Sequence, residues 1–137
     1  MSEEASRVYE FGFSGPLRDR LVAAVLRGEK TAGSSLLLEY QLDDEPLPKV
    51  GERRKVLDSA GAPVGVVEIV SVEVIRLADA DLTLALEEGE GFSDVGEWRA
   101  EHERFWSEEV IPELPPGSAS PLADDTEVVV ERFRLVE

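Results

Sequence analysis

The order in which two hydrophobic periods follow one another constrains this chain more than any single residue does. Period two opens it at Val8–Phe13, where Tyr9, Phe11 and Phe13 share a side and Gly12 weakens the strand. Period 3.6 follows. Ser14-Gly15-Pro16 supplies a cap and a first-turn proline, and Leu17, Leu21, Val22, Val25 and Leu26 repeat at helical spacing up to Gly28. Thr31–Tyr40 reads either as extended chain or as a turn of helix capped by Ser34 or Ser35; a short strand leading into a helical turn is favoured. Pro46, Pro48 and Gly51 mark a loop. Arg53–Asp58 and Val64–Ile75 then form a hairpin around Ser59-Ala60-Gly61. A second helix runs from Asp79 to Glu88 with Leu82, Ala85 and Leu86 inward, and stops at Gly89. Ser93 or Asp94 caps a third, whose stripe is Val95, Trp98, His102, Phe105 and Trp106. The connection Pro112–Asp125 leads to a last alternating strand, Val128–Val136.

Strands before, between and after the helices argue against a doubly wound parallel sheet. They predict an α+β fold: a mostly antiparallel, partly closed barrel with about three packed helices. At 137 residues, 42% of them hydrophobic, the chain suits one contiguous core, so a single domain over residues 1–137 is expected rather than a disordered segment.

Charge and composition narrow the chemistry. The absence of cysteine excludes disulfides, thiolate metal sites and cysteine nucleophiles. The N-terminus, Met1-Ser2-Glu3-Glu4, is acidic where a signal peptide is basic, and no segment has membrane-spanning length, so a cytoplasmic chain with no membrane partner is expected. A formal charge of −16 opposes a long RNA footprint, because phosphate-tracking surfaces gain affinity by releasing counterions from basic patches. A concave site with two or three cations escapes that objection. The expected partner is a small nucleoside, a nucleotide or a short RNA. Only Lys30, Lys49 and Lys55 among the 14 cations are lysines, so each invites a check for a role arginine does not fill.

Four constellations carry candidate chemistry. Gly28-Glu29-Lys30-Thr31-Ala32-Gly33-Ser34-Ser35 sets a lysine after a helix-ending glycine, followed by small, largely hydroxylic residues that permit close approach of a ligand; the plain alternative is a lysine offsetting a helix dipole. Glu87-Glu88-Gly89-Glu90-Gly91 crowds carboxylates that raise one another's pKa, as proton transfer requires, or is a solvated acidic loop; it matches no standard metal loop, and no metal is expected. Glu68 shares a strand face with Val66, Val70, Val72 and Val74 and is a candidate buried carboxylate paired with Arg53 or Lys55. Trp98 and Arg99, with His102, Phe105 and Trp106, offer a ring to stack on a base and a guanidinium to reach the acidic loop, although most of the stripe, His102 included, reads as core. With one histidine and no cysteine, neither a triad nor a zinc spacing is present.

Taken together, Gly28-Glu29-Lys30-Thr31-Ala32, Pro48-Lys49-Val50-Gly51-Glu52, Val67-Glu68-Ile69 and Glu88-Gly89-Glu90-Gly91 followed by Trp98-Arg99 resemble the longer bacterial members of the ASCH domain family over nearly the whole chain. The resemblance implies a PUA-like barrel with a cleft between barrel and helices, and a role in RNA or nucleotide binding. In some members it implies hydrolysis: amidohydrolase action on N4-acetylcytidine, or ribonuclease action. No cofactor is implied. In the amidohydrolase pattern Lys30 matches the lysine and Glu88 or Glu90 the assisting glutamate, but Gly33 stands where the threonine nucleophile belongs. Ser34 or Thr31 would have to supply the hydroxyl, and a one-residue shift in extended chain points the wrong way unless the chain turns there. The candidate catalytic residues are Lys30, Ser34, Glu88 and Glu90; Thr31, Ser35, Arg53, Glu68, Trp98 and Arg99 are the candidate ligand contacts. A non-catalytic module would use the same cleft.

Overall fold

The computed structural model describes residues 8–9 and 15–136. Its elements are β1 (Val8–Tyr9), α1 (Pro16–Leu26), β2 (Ala32–Leu36), α2 (Leu37–Leu42), β3 (Arg53–Leu57), β4 (Pro63–Arg76), α3 (Leu82–Glu87), α4 (Val95–Phe105) and β5 (Glu127–Leu135). The remainder of the opening strand expected at Val8–Phe13 lies outside the described residues. The sheet runs β1-β3-β4-β5-β2, with β1 parallel to β3 and every other pair antiparallel. This is the curled, mostly antiparallel α+β sheet that the period order predicts, with four α-helices among the described residues. Among the described residues no helix is long and apolar enough to cross a membrane.

Local signals explain most elements. Pro16 opens α1, and the capping contact is tertiary: the Gly15 N–H donates to Ser59 Oγ at 2.9 Å. The β3–β4 turn is fastened by Asp58, whose Oδ1 accepts from Ala60 N and Ala62 N, both at 2.9 Å. Ser34 and Ser35 lie within β2. The residue before α2 is Leu36, whose N–H donates to the Glu39 carboxylate at 3.1 Å, so acid three residues on, not serine, satisfies that helix start.

The sheet carries a core on each face. Period-two alternation through the β2–β5 register puts Ala32, Leu36, Val128 and Val130 on one face, under Leu84, Ala85, Trp98 and Trp106 from the C-terminal helices. The opposite face buries Val56, Val67, Ile69 and Phe133 against Leu21, Val22 and Val25 of α1. Each Val, Leu, Ile or Phe side chain among these contributes about 1.5–3 kcal/mol when fully buried.

Two expectations from periodicity are corrected. The β4 register shifts between Ile69 and Ser71, so alternation breaks at a bulge. Val67 and Ile69 are therefore the inward residues, Val70 is exposed, and Glu68 does not share a buried face with the valines. In the second helix, a 3-10 turn at Leu77–Asp79 precedes α3, which starts at Leu82 with Asp81 accepting from Leu84 N. That resets the helical phase: Leu84 and Ala85 are buried, while Leu82 and Leu86 face outward.

Candidate functional site

Lys30 stands where α1 has ended and β2 has not begun. Gly28 adopts φ 78°, and the N–H groups of Glu29 and Lys30 both reach the Ala24 carbonyl at 3.0 and 3.1 Å, which turns the chain sharply. The end of α3 lies alongside, because Thr31 N donates to Glu87 O at 2.7 Å. Gly89, at φ 65°, allows that approach: a Cβ there would sit 2.4 Å from Glu29 O and 2.7 Å from Lys30 N. No other residue type fits without moving backbone.

The Lys30 side chain, only 3% exposed, runs into the enclosure so formed. Its Nζ donates to Ala32 O at 2.9 Å, Glu88 O at 3.3 Å and Glu90 Oε2 at 3.4 Å, and lies 3.6 Å from Glu88 Oε1. Glu88 is the centre of the cluster. Its Oε2 accepts from Trp98 Nε1 at 2.6 Å and from the Ser34 hydroxyl in a very short hydrogen bond, while its Oε1 lies 3.1 Å from His102 Nε2. Burial alone pushes the Glu88 carboxyl up. The His102 hydrogen bond, the Lys30 and His102 charges and the Ser34 hydroxyl outweigh it and bring it down to about 2. For His102 burial acts downward, but the Glu88 bond and charge, the Trp98 carbonyl and Glu90 leave it raised. The imidazole stacks on the Trp98 ring, with centroids 4.3 Å apart, and meets Trp106 edge-on.

Four sequence candidates converge here: Lys30, Ser34, Glu88 and Glu90. Thr31 adjoins them, its hydroxyl donating to Glu87 O at 3.4 Å. No turn is needed to bring Ser34 in. Alternation within β2 puts Ser34 on the face of Ala32 and Leu36, toward Glu88, and leaves Gly33 and Ser35 on the opposite face. Arg53 and Glu68 are elsewhere. Glu68 is a partly exposed carboxylate accepting from Arg53 at 3.2 Å and Arg134 at 2.9 Å, and β3 stands three strand spacings, roughly 14 Å, from β2. Arg99 turns away from the acidic loop to Glu103 and Asp124, both at 2.7 Å. Trp98 is 0% exposed, so it has no open face for a base; its indole N–H holds Glu88 instead.

Sequence reasoning missed the part His102 plays. The signal for it is physical: a histidine on the apolar stripe of a helix needs partners for both ring nitrogens, and the adjoining acidic segment is the nearest supply of one. Glu88, Glu90 and His102 also present ligand atoms within 4.8 Å of one another. Lys30 Nζ already lies 3.4 and 3.6 Å from the two carboxylates, so a divalent ion would have to expel an ammonium; the donor set fits a metal poorly.

A model of the ASCH domain matches residues 7–137. The crystal structure of a protein from Enterococcus faecalis is similar at a TM-score of 0.82 and 30% identity, covering 95% of this chain and 76% of that one. The structure of an ASCH domain from Lactobacillus crispatus is similar at 0.82 and 26% identity, covering 98% and 86%. No curated protein matches the chain.

Proposed function

Because this chain belongs to the ASCH domain family, we propose that the Lys30 cluster, at its Ser34–Glu90 edge, binds the base of a nucleoside, a nucleotide or a short RNA. The observation that carries this reading is one buried ammonium converging with a hydroxyl and two carboxylates, with Glu90 and Ser34 partly exposed at the edge of the cluster. A nucleobase edge presents carbonyl acceptors beside amine donors. Lys30 donates to the former, Glu90 accepts from the latter, and Ser34 does either. The net charge of −16 favours one nucleoside unit over a polymer and ranks ribonuclease action below simple binding. Titration calorimetry with cytidine and cytidine 5′-monophosphate tests it. Saturable binding that drops at least tenfold in Lys30→Ala is expected; binding indifferent to that substitution removes the reading.

One observation favours a second reading, hydrolysis of an N-acylated nucleoside: the Ser34 hydroxyl donates to a carboxylate within a cluster that also holds an ammonium. In that reaction Ser34 Oγ bonds to the acyl carbon as its proton passes transiently to Glu88, and Lys30 stabilises the developing oxyanion. Glu88 returns the proton to the leaving nitrogen as the C–N bond breaks, and water then cleaves the ester to release the acid and restore Ser34. Lys30 serves in this scheme as a donor, its Nζ lying 2.9, 3.3 and 3.4 Å from Ala32 O, Glu88 O and Glu90 Oε2. Acetate release from N4-acetylcytidine, lost in Ser34→Ala, is the expected result. Wild-type protein that releases none disposes of this second reading and leaves the first.

A further inference from the structure

The ring of His102 is bracketed by oxygens. Nδ1 lies 2.8 Å from the Trp98 carbonyl, which only accepts, so Nδ1 carries a proton. Nε2 lies 3.1 Å from Glu88 Oε1. Glu88 takes two further donors on its other oxygen and has the Lys30 ammonium beside it, surroundings built for a carboxylate rather than a carboxylic acid. A carboxylate also only accepts, so Nε2 carries a proton too. We infer that His102 is a standing imidazolium, a positioning residue that locks Glu88 as an ionised anchor for Lys30 and Ser34 and leaves Glu90 as the carboxylate that meets the ligand.

The surroundings support one cation there. Phe92, Trp98 and Trp106 enclose the ring with carbon, and the charged groups facing it are Glu88, Glu90 and, beyond Glu88, Lys30. Charges near it on its own helix are engaged outward: Arg99 with Glu103 and Asp124, Glu101 with Arg104. His102 thus balances Glu88, and the Lys30 charge is set against Glu90, whose flanking glycines hold φ 65° and 87°. Lys30 Nζ donates to main-chain oxygens of Ala32 and Glu88 and to Glu90, a side chain that can yield its place to a ligand oxygen.

His102 is the only histidine in the chain, so its ring signals in proton–nitrogen NMR need no assignment by mutation. Both nitrogens should be protonated in the wild-type protein at neutral pH; a neutral ring there overturns the inference whatever the cluster binds. The positioning role rests on the nucleoside reading and is read by titrating cytidine across pH on the same sample. Affinity should hold while the ring is doubly protonated and fall several-fold in step with its deprotonation. Affinity unchanged through that deprotonation refutes the positioning role. If cytidine fails to bind at every pH while the ring stays doubly protonated, the imidazolium anchor is upheld and the nucleoside reading is lost. His102→Gln, which keeps one N–H for Glu88 without the charge, should abolish the pH step.

Discussion

Glu88 and Glu68 are two carboxylates facing the same side of one sheet, each beside two cations, and they do different things. Glu88 has a side chain 2% exposed and draws Lys30, His102, Ser34 and Trp98 around it. Glu68 is 20% exposed and pairs with Arg53 and Arg134, themselves 45% and 62% exposed. Both carboxyls are held below their ordinary range: Glu68 by the hydrogen bonds of Arg134 and then Arg53, Glu88 against the opposing pull of burial. In water-screened surroundings a cation is an interchangeable partner. In a buried cluster it is a structural commitment, because removing one member leaves the rest buried and unbalanced.

Removing the central member should therefore have the largest effect. Glu88→Ala strands Lys30 and His102 and should lower stability by about 3–5 kcal/mol, read as a shift in the urea midpoint; a variant as stable as wild type erases the contrast with Glu68. Gly89→Ala comes next, combining a left-handed backbone with a Cβ 2.4 Å from a carbonyl oxygen, for a loss of about 1–3 kcal/mol and a loosened Lys30 loop. Near-wild-type melting of that variant would mean the close approach is not required.

The pH dependence is smaller and has two limbs. Glu88 is depressed from 4.5 to about 2, so its contribution is whole above pH 4.5 and is lost as pH falls toward 2. His102 is raised from 6.5, so its contribution is whole below pH 6.5 and is lost as pH climbs through its folded value. Denaturation across pH should show the cluster's support greatest between 4.5 and 6.5, with the alkaline limb flattened in His102→Gln. The smallest effect belongs to Glu68→Gln: a midpoint barely moved in low salt and unmoved at about 1 M salt, where screening acts within about 3 Å. A large, salt-independent loss there would show that the exposed pair is no weaker than the buried one.

How much of this was legible beforehand varies with distance along the chain. The helix after Pro16, the hairpin around Ser59-Ala60-Gly61 and the strand-to-helix passage at Ala32–Leu42 follow from neighbours a few residues apart. Lys30 stood out because glycine precedes it and small residues follow. Arg53, Glu68 and Arg99 looked equally eligible, since a residue's type carries no record of which strand edge or loop it will face. The Ser34 assignment turned on parity: one residue separates it from Gly33, and only the β2–β5 register says which side faces Glu88.

From the order of its periods alone this sequence settles an α+β chain of antiparallel strands and amphipathic helices, with glycines at most of the places where the backbone turns left. Tertiary structure decided which charges are dry. Glu88 meets partners 58, 54, 14 and 10 residues away in Lys30, Ser34, His102 and Trp98. A carboxylate's ionisation depends on the water and charge within a few ångströms, a quantity that exists only after those distant segments have closed around it.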